Sequence, residues 1–372
     1  MRTSAPAARP ITWTLAALFL VFIDLGITRS RLLWGPTAFE NTRDMTQIVF
    51  AQTYQAARKL YATGRGPERR IAALGNSRIL LGARESLLQP ELDHLAPGLR
   101  AVNLGIFGAG IGDQEAVVRH LTRLAPSLVI LTLGASDLQG TPASPLSGQP
   151  AEMLRIGWAG VDPEGAAERV DRWVRTLWAL YGFREFARAA LVDRVAPPPD
   201  PGPPPDHFPS TRALFDHIHG GGGAAVEAAY RAWRREPTLE AFVAYLEIGS
   251  PSYLDLVRQR ASGPSVDEDS RGVRLLDAVL ARLAAGPWRS LVVIMPENPL
   301  IELDTGNRYH RPGLSDDAAA IVRGLAARRD IPVVDARRWM PAEAFIDFDH
   351  LMTDLSGFQR PLAAEIVRAS GV

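Results

Sequence analysis

Short apolar runs that stop at small or turn-forming residues recur along this chain. Residues 71–74 stop at Gly75, 102–104 at Gly105 and 128–133 at Gly134. Further on, 291–295 stop at Pro296 and 331–334 at Asp335. Between these runs the apolar positions adopt helical spacing, as in 114–124 and 316–327. Strand alternating with helix predicts an α/β fold: a doubly wound, parallel, five-stranded sheet with right-handed crossovers.

The stretch 141–286 breaks that rhythm. An amphipathic run over 168–192 holds Trp173, Trp178, Tyr181 and Phe183, read as a packing stripe ahead of a sugar platform. The proline-rich 197–205 cannot be a central strand or a long helix. The glycines at 220–223 lack the Lys-Ser/Thr pair of a phosphate loop. Helical patterns return over 224–248 and 273–283. The stretch reads as a helical insertion after the third strand, with a flexible Pro/Gly-rich middle.

Ahead of the first strand, 39–61 has helical spacing through Ile48, Val49, Tyr54 and Leu60. Residues 11–27 are apolar except Thr12, Thr14, Asp24 and Gly26, with Arg2 and Arg9 before them and Arg29 and Arg31 after. That run is at the lower limit of the roughly 17–25 residues a spanning helix needs. No small-residue cleavage pattern follows it. The expected organisation is a leader and single-pass N-terminal transmembrane helix over 1–35 and a helical connector over 36–70. The sheet domain then comprises 71–140 and 287–372, with the insertion at 141–286. A buried soluble helix is the alternative for the first segment.

Composition narrows the function classes. Basic and acidic residues number 41 each, so no single-sign field favours nucleic acid. The absence of cysteine removes disulfides, thiolate metal sites and cysteine nucleophiles.

Candidate chemistry gathers at the strand ends, where open parallel sheets build their sites. Gly75-Asn76-Ser77-Arg78 follows strand one, and a serine on a tight strand-to-helix turn stands exposed at the top of the sheet. Taken alone, Ser77 could equally be a helix N-cap. The glycines of 103–108 fail the dinucleotide-binding spacing, because Asp113 stands where the third glycine would be. Leu133-Gly134-Ala135-Ser136-Asp137 follows strand three, and Asp347-Phe348-Asp349-His350 lies beyond strand five. A carboxylate three residues before a histidine suits an aspartate that orients and charges the imidazole, or an N-cap beside an unrelated histidine. Asp349, adjacent to His350, has the more awkward geometry for that role. Asp216, His217 and His219 have a zinc-like spacing but sit beside the glycine run, where a solvated pair is the plainer reading. His310, between Arg308 and Arg311, rims a cleft or decorates a polar loop.

Taken in order, these segments resemble the blocks of the SGNH (GDSL-like) hydrolase superfamily, over 71–137 and about 287–368, roughly two-fifths of the chain. Asn76 stands where that family usually has aspartate, and Ser136 where it has the oxyanion asparagine. Gly108, five residues after Asn103, falls at the oxyanion glycine, and Gly357 follows the Asp347/His350 block. The chain looks most like anchored bacterial envelope members of the superfamily, the group that includes alginate O-acetylation proteins.

The resemblance implies a flavodoxin-like, SGNH-type sheet with Ser77 as nucleophile, His350 as base and Asp347 as its partner. Gly108 and Ser136 would serve the oxyanion hole. Arg78 would bind a substrate carboxylate, or else form a structural pair. It implies a hydrolase or O-acyltransferase that needs no cofactor and no metal. The substrate would be an envelope glycan or other ester carrying acyl groups, with acetyl the expected one, and the catalytic domain would lie on the periplasmic side. Membrane and envelope-assembly partners are expected, nucleic acid is not. The alternative is a catalytically silent domain that binds glycan or scaffolds an assembly.

Overall fold

The computed structural model describes residues 14–16, 18, 19, 22, 56, 59, 60, 69–139, 223–352 and 357–371. The chain divides into two compact units, one of 1–42 with 162–204 and one of 43–161 with 205–372. In the first unit the described residues are helical, and Leu15, Leu18, Phe19 and Phe22 are exposed. Among the described residues, no helix is long and apolar enough to cross a membrane. Most of the expected anchor, the 168–192 run, the proline-rich segment and His217 with His219 lie outside the described residues.

The second unit is an α/β fold built on five parallel strands in the order β2-β1-β3-β4-β5. The strands are β1 (Arg69–Leu74), β2 (Leu99–Asn103), β3 (Leu128–Leu133), β4 (Arg289–Ile294) and β5 (Val333–Asp335). Ten α-helices accompany them among the described residues. After β1 come α1 (Ser77–Gly82) and α2 (Glu85–Leu95), and after β2 come α3 (Ile111–Val118) and α4 (Leu121–Leu124). Between β3 and β4 run α5 (Gly223–Arg235), α6 (Leu239–Gly249), α7 (Pro251–Ala261) and α8 (Arg271–Ala285). The last two are α9 (Leu314–Ala327) and α10 (Gln359–Ser370).

Period-two alternation in the strands feeds two separate cores. From β3, Val129, Leu131 and Leu133 point to one core with Leu121 of α4, Leu276 and Leu280 of α8 and Val322 of α9. Leu128 and Ile130 point to the other, with Leu88 and Leu92 of α2 and Leu362 and Ile366 of α10. Both faces of the sheet are therefore covered, which is why its strands read as unbroken apolar runs. Ala56 and Leu60, from the expected connector, pack into the first core.

The helices between β3 and β4 form a third cluster. Trp233, Phe242 and Tyr245 pack there with Phe348 and Ile346 from the segment after β5. That shared cluster ties α5–α7 to the loop carrying Asp347 and His350.

Several boundaries differ from the sequence reading: β2 starts at Leu99 rather than 102, and the helix expected over 224–248 is divided into α5 and α6. The helix expected over 114–124 is split by a turn at Arg119 and His120 into α3 and α4. The fifth strand starts at Val333 rather than 331. Asp330 takes a left-handed φ of 54°, and the Ile331 amide donates back to the Ala326 carbonyl at 3.1 Å. Ile331 thus closes the end of α9 in a 6→1 bond and is not available to the sheet.

Ile130 lies fully buried in the central strand. Ile130→Ala is expected to lower stability by about 2–5 kcal/mol, measured as a lower urea midpoint with little change in slope.

Candidate active site

The strand order reverses at β1, which has β2 on one side and β3 on the other. Their carboxyl ends form the switch point at which open α/β sheets hold their ligands. Leu74, the last residue of β1, pairs with Leu131 two residues before the end of β3. The chain then turns at Gly75, where a Cβ would sit 2.1 Å from Thr132 Oγ1. That close approach requires glycine. The Gly75 carbonyl accepts from Gln114 Nε2 at 2.7 Å and from the Ile106 amide at 3.1 Å.

Asn76 caps α1, its Oδ1 accepting the Arg78 amide at 3.0 Å. The cap is therefore Asn76, and Ser77 is the first helical residue with its hydroxyl released for other work. Asn76 also donates through Nδ2 to Asp137 Oδ1 at 3.0 Å, a bond an aspartate at this position could not supply. Asp137 Oδ2 accepts the Gly134 amide at 2.8 Å, so the turns after β1 and β3 are stitched together.

Asn103 does similar work after β2. It is buried, donates to the Ile79 and Ala83 carbonyls at 3.0 and 2.9 Å, and accepts the Gly105 amide at 2.8 Å.

Beyond β5, the segment carrying Asp347 folds over the end of the sheet. Ser77 Oγ lies 2.6 Å from His350 Nε2, and His350 Nδ1 lies 2.7 Å from Asp347 Oδ2. Both distances are within the range for proton transfer. With Nδ1–H donated to Asp347, Nε2 accepts the Ser77 hydroxyl. Asp347 is almost fully buried, and its Oδ1 accepts the amides of Asp349 and His350 at 2.9 and 2.8 Å. The Phe107 ring stacks on His350, with centroids 6.0 Å apart at 11°. Burial opposes charge on His350, but Asp347 and Asp349 together outweigh it and lift the imidazole above its ordinary value.

The other expected residues take these places. Gly108 follows Phe107 and is exposed, with a left-handed φ of 68°. The Ser136 hydroxyl accepts from Arg78 Nη2 at 2.8 Å, which leaves its own proton for another acceptor. Arg78 is enclosed and pairs with Asp349 at 2.7 Å, with Asp137 at 3.9 Å. Burial works against its charge, but Asp349 and Asp137 hold it firmly protonated. Of the two roles open to Arg78, this geometry fits the structural pair, although the side chain also lines a neighbouring cavity. A Cβ on Gly134 would lie 1.2 Å from Arg78 Nη1, so glycine there makes room for the guanidinium. Gly357 also has a left-handed φ, 66°.

Two participants, Tyr253 and Arg260, were not anticipated, and Asp349, set aside as awkward in the sequence, takes part with them. Tyr253 and Arg260 of α7 reach Asp349, at 2.5 Å through the tyrosine hydroxyl and 3.2 Å through the guanidinium. Asp349 itself lies 3.3 Å from His350 Nδ1, a second and longer carboxylate contact on the same nitrogen. Tyr253, Val257 and Arg260 share one face of α7 at helical spacing and line the same cavity. Sequence can show that face but not the cleft it borders. The cavity has about 560 Å³ of space, open mouth included, with Ser136, Tyr309, His310 and Arg311 on its wall.

Asp347, Asp349 and His350 offer donor atoms within 4.8 Å of one another. Two guanidinium groups occupy Asp349 and one imidazole N–H occupies Asp347. That is a setting for moving a proton, and it disfavours a cation.

Fold and side chains together define an α/β protein with a serine–histidine–aspartate constellation at the sheet's switch point. No family model matches the chain, and no curated protein matches it. Among solved structures it is similar to a gut microbial diltiazem-metabolizing enzyme, with a TM-score of 0.37 and 12% identity. That match covers 84% of this chain and 49% of the other.

Asn76→Asp keeps the helix cap but sets a carboxylate against Asp137. The new carboxyl would have a folded-state pKa above its unfolded value. Its contribution is therefore intact at low pH and lost as pH rises through the carboxylate range. Thermal unfolding of the variant against wild type should show a deficit that is larger at neutral pH than in mild acid.

Proposed function

We propose that this chain is an SGNH-type serine hydrolase or O-acyltransferase with the flavodoxin-like strand order of that superfamily. The observation that carries the reading is the contact chain from Ser77 Oγ to His350 Nε2 at 2.6 Å and from His350 Nδ1 to Asp347 at 2.7 Å. A serine hydroxyl is a weak nucleophile until a base takes its proton, and a buried carboxylate stabilises the imidazolium that results.

In the first step Ser77 Oγ bonds to the ester carbonyl carbon while its proton passes to His350 Nε2. Collapse of the tetrahedral intermediate breaks the bond to the leaving alkoxide, which takes that proton and departs as an alcohol. Water or a sugar hydroxyl then attacks the acyl-Ser77 carbonyl, giving its proton to Nε2. The Ser77–acyl bond breaks and Ser77 recovers the proton. The oxyanion would be met by the amides of Ser77 and Gly108 and by the Ser136 hydroxyl, whose oxygen is already polarised by Arg78.

The apolar 11–27 segment supports a membrane anchor, and the resemblance to anchored envelope members of the superfamily supports a periplasmic domain with an envelope glycan or glycoconjugate bearing O-acyl groups as substrate. A second reading, a catalytically silent domain that binds glycan or scaffolds an assembly, is favoured by Ser136 in the place of an asparagine. Losing one oxyanion donor costs about 100- to 1000-fold in rate.

The purified chain is expected to hydrolyse p-nitrophenyl acetate and to be labelled at Ser77 by a fluorophosphonate. Ser77→Ala should abolish labelling and lower kcat by at least about a thousandfold. Absent labelling, or labelling that persists in Ser77→Ala, favours the silent domain.

A further inference from the structure

The imidazole facing Ser77 has two carboxylates on its far side. Asp347 Oδ2 lies 2.7 Å from Nδ1 and Asp349 Oδ1 lies 3.3 Å from it. A serine hydrolase needs only one such partner. Two buried anions around one ring are costly unless other groups compensate them. Here the compensation comes from Arg78 of the first block and, outside the four sequence blocks, from α7. Arg78 of α1 and Arg260 of α7 both reach Asp349 Oδ2, at 2.7 and 3.2 Å. The Tyr253 hydroxyl donates to Asp349 Oδ1 at 2.5 Å and lies 3.2 Å from Asp347 Oδ1.

We infer that Asp349, clamped by Tyr253 and Arg260 of α7 together with Arg78, is a positioning residue that sets the basicity of His350. The segment between β3 and β4 thereby acts on the base at the far end of the chain without touching the reacting atoms.

The groups facing His350 come from every neighbouring element. Asp347 and Asp349 flank it from its own loop, Arg78 stands on α1, and Tyr253 and Arg260 stand on α7. Phe107, from the loop after β2, is uncharged and stacks on the ring. Asp137 after β3 and Glu297 after β4 act at one remove, through Arg78. Burial pushes the Asp349 carboxyl up, but Arg78, His350 and Arg260 pull it well below the usual range, so it remains an anion throughout the working pH. Burial beside Asp347 and Asp349 pushes the Tyr253 phenol well above its usual value, so it remains a donor.

The signs follow from the charges. Asp349→Asn removes an anion beside Nδ1 and should lower the pKa of His350. Arg260→Gln removes a cation that screens Asp349, and Tyr253→Phe removes a donor to both carboxylates while keeping the ring. Each of these should raise it.

The test is an NMR titration of the His350 imidazole in the full-length chain and the three variants, with signals assigned through His350→Gln. The acid limb of kcat/KM for p-nitrophenyl acetate is measured beside it. Opposite shifts for Asp349→Asn and Arg260→Gln, with Tyr253→Phe moving as Arg260→Gln does, are the expected result. An unchanged imidazole pKa in all three, or shifts of one sign throughout, overturns the inference and leaves these groups a structural role. The kinetic arm rests on the proposed hydrolase reading, but the titration does not. Opposite NMR shifts without Ser77-dependent turnover uphold the tuning of His350 and refute the hydrolase.

Discussion

Charge buried at the end of the sheet is the constraint on which the site depends. Asp347, Asp349, Asp137 and Arg78 all lie largely out of water, and His350 is enclosed among them. In such surroundings a lone carboxylate would take up a proton or draw in water. Arg78 prevents that by reaching Asp349 and Ser136, with Asp137 within ion-pair distance. Removing one member of a buried pair typically costs about 3–5 kcal/mol, because the remaining charge has no partner. Arg78 on α1 therefore links the turn after β3 to the loop after β5, beside the contacts that Asn76 makes to the first and Arg260 and Tyr253 make to the second.

Backbone economy makes room for that guanidinium. Arg78 Nη1 occupies the space a Cβ would fill at Gly134, and the Thr132 side chain occupies the space a Cβ would fill at Gly75. Thr132 in turn donates to the Leu74 carbonyl at 2.9 Å. Asn76 completes the arrangement with one amide group that caps α1 through its oxygen and binds Asp137 through its nitrogen. An asparagine at this position is thus matched to a carboxylate already present on the adjoining turn.

The helices between β3 and β4 contribute more than a cover. Their aromatic cluster takes in Phe348, which stands between Asp347 and Asp349 and meets Phe242 edge-on at 5.1 Å and Tyr309 stacked at 5.7 Å. Burying Phe348 orients the two flanking aspartates relative to α7. Packing of the helices and geometry of the base are consequently one event. A chain that folded its sheet without these helices would leave the loop after β5 with nothing to pack against on that side.

Sequence alone determined the sheet, because strands covered on both faces must be apolar throughout and must end where small residues permit a turn. Leu128–Leu133 is such a run, and its boundaries coincide with β3. Sequence pointed to Ser77, Asp347 and His350 only through the resemblance of the ordered segments to a known superfamily, since residue type and position alone left each a structural alternative. Tertiary structure decided which oxygen meets which nitrogen. Whether Asp349 is a bystander or a second contact on His350 depends on χ angles and on a helix some ninety residues earlier in the chain, with Tyr253 and Arg260 separated from Asp349 by 96 and 89 positions. Nor could the role of Arg78 be read from its neighbours in sequence. A guanidinium beside a candidate nucleophile looks the same in one dimension whether it faces solvent or a buried carboxylate, and only the fold supplies the carboxylate.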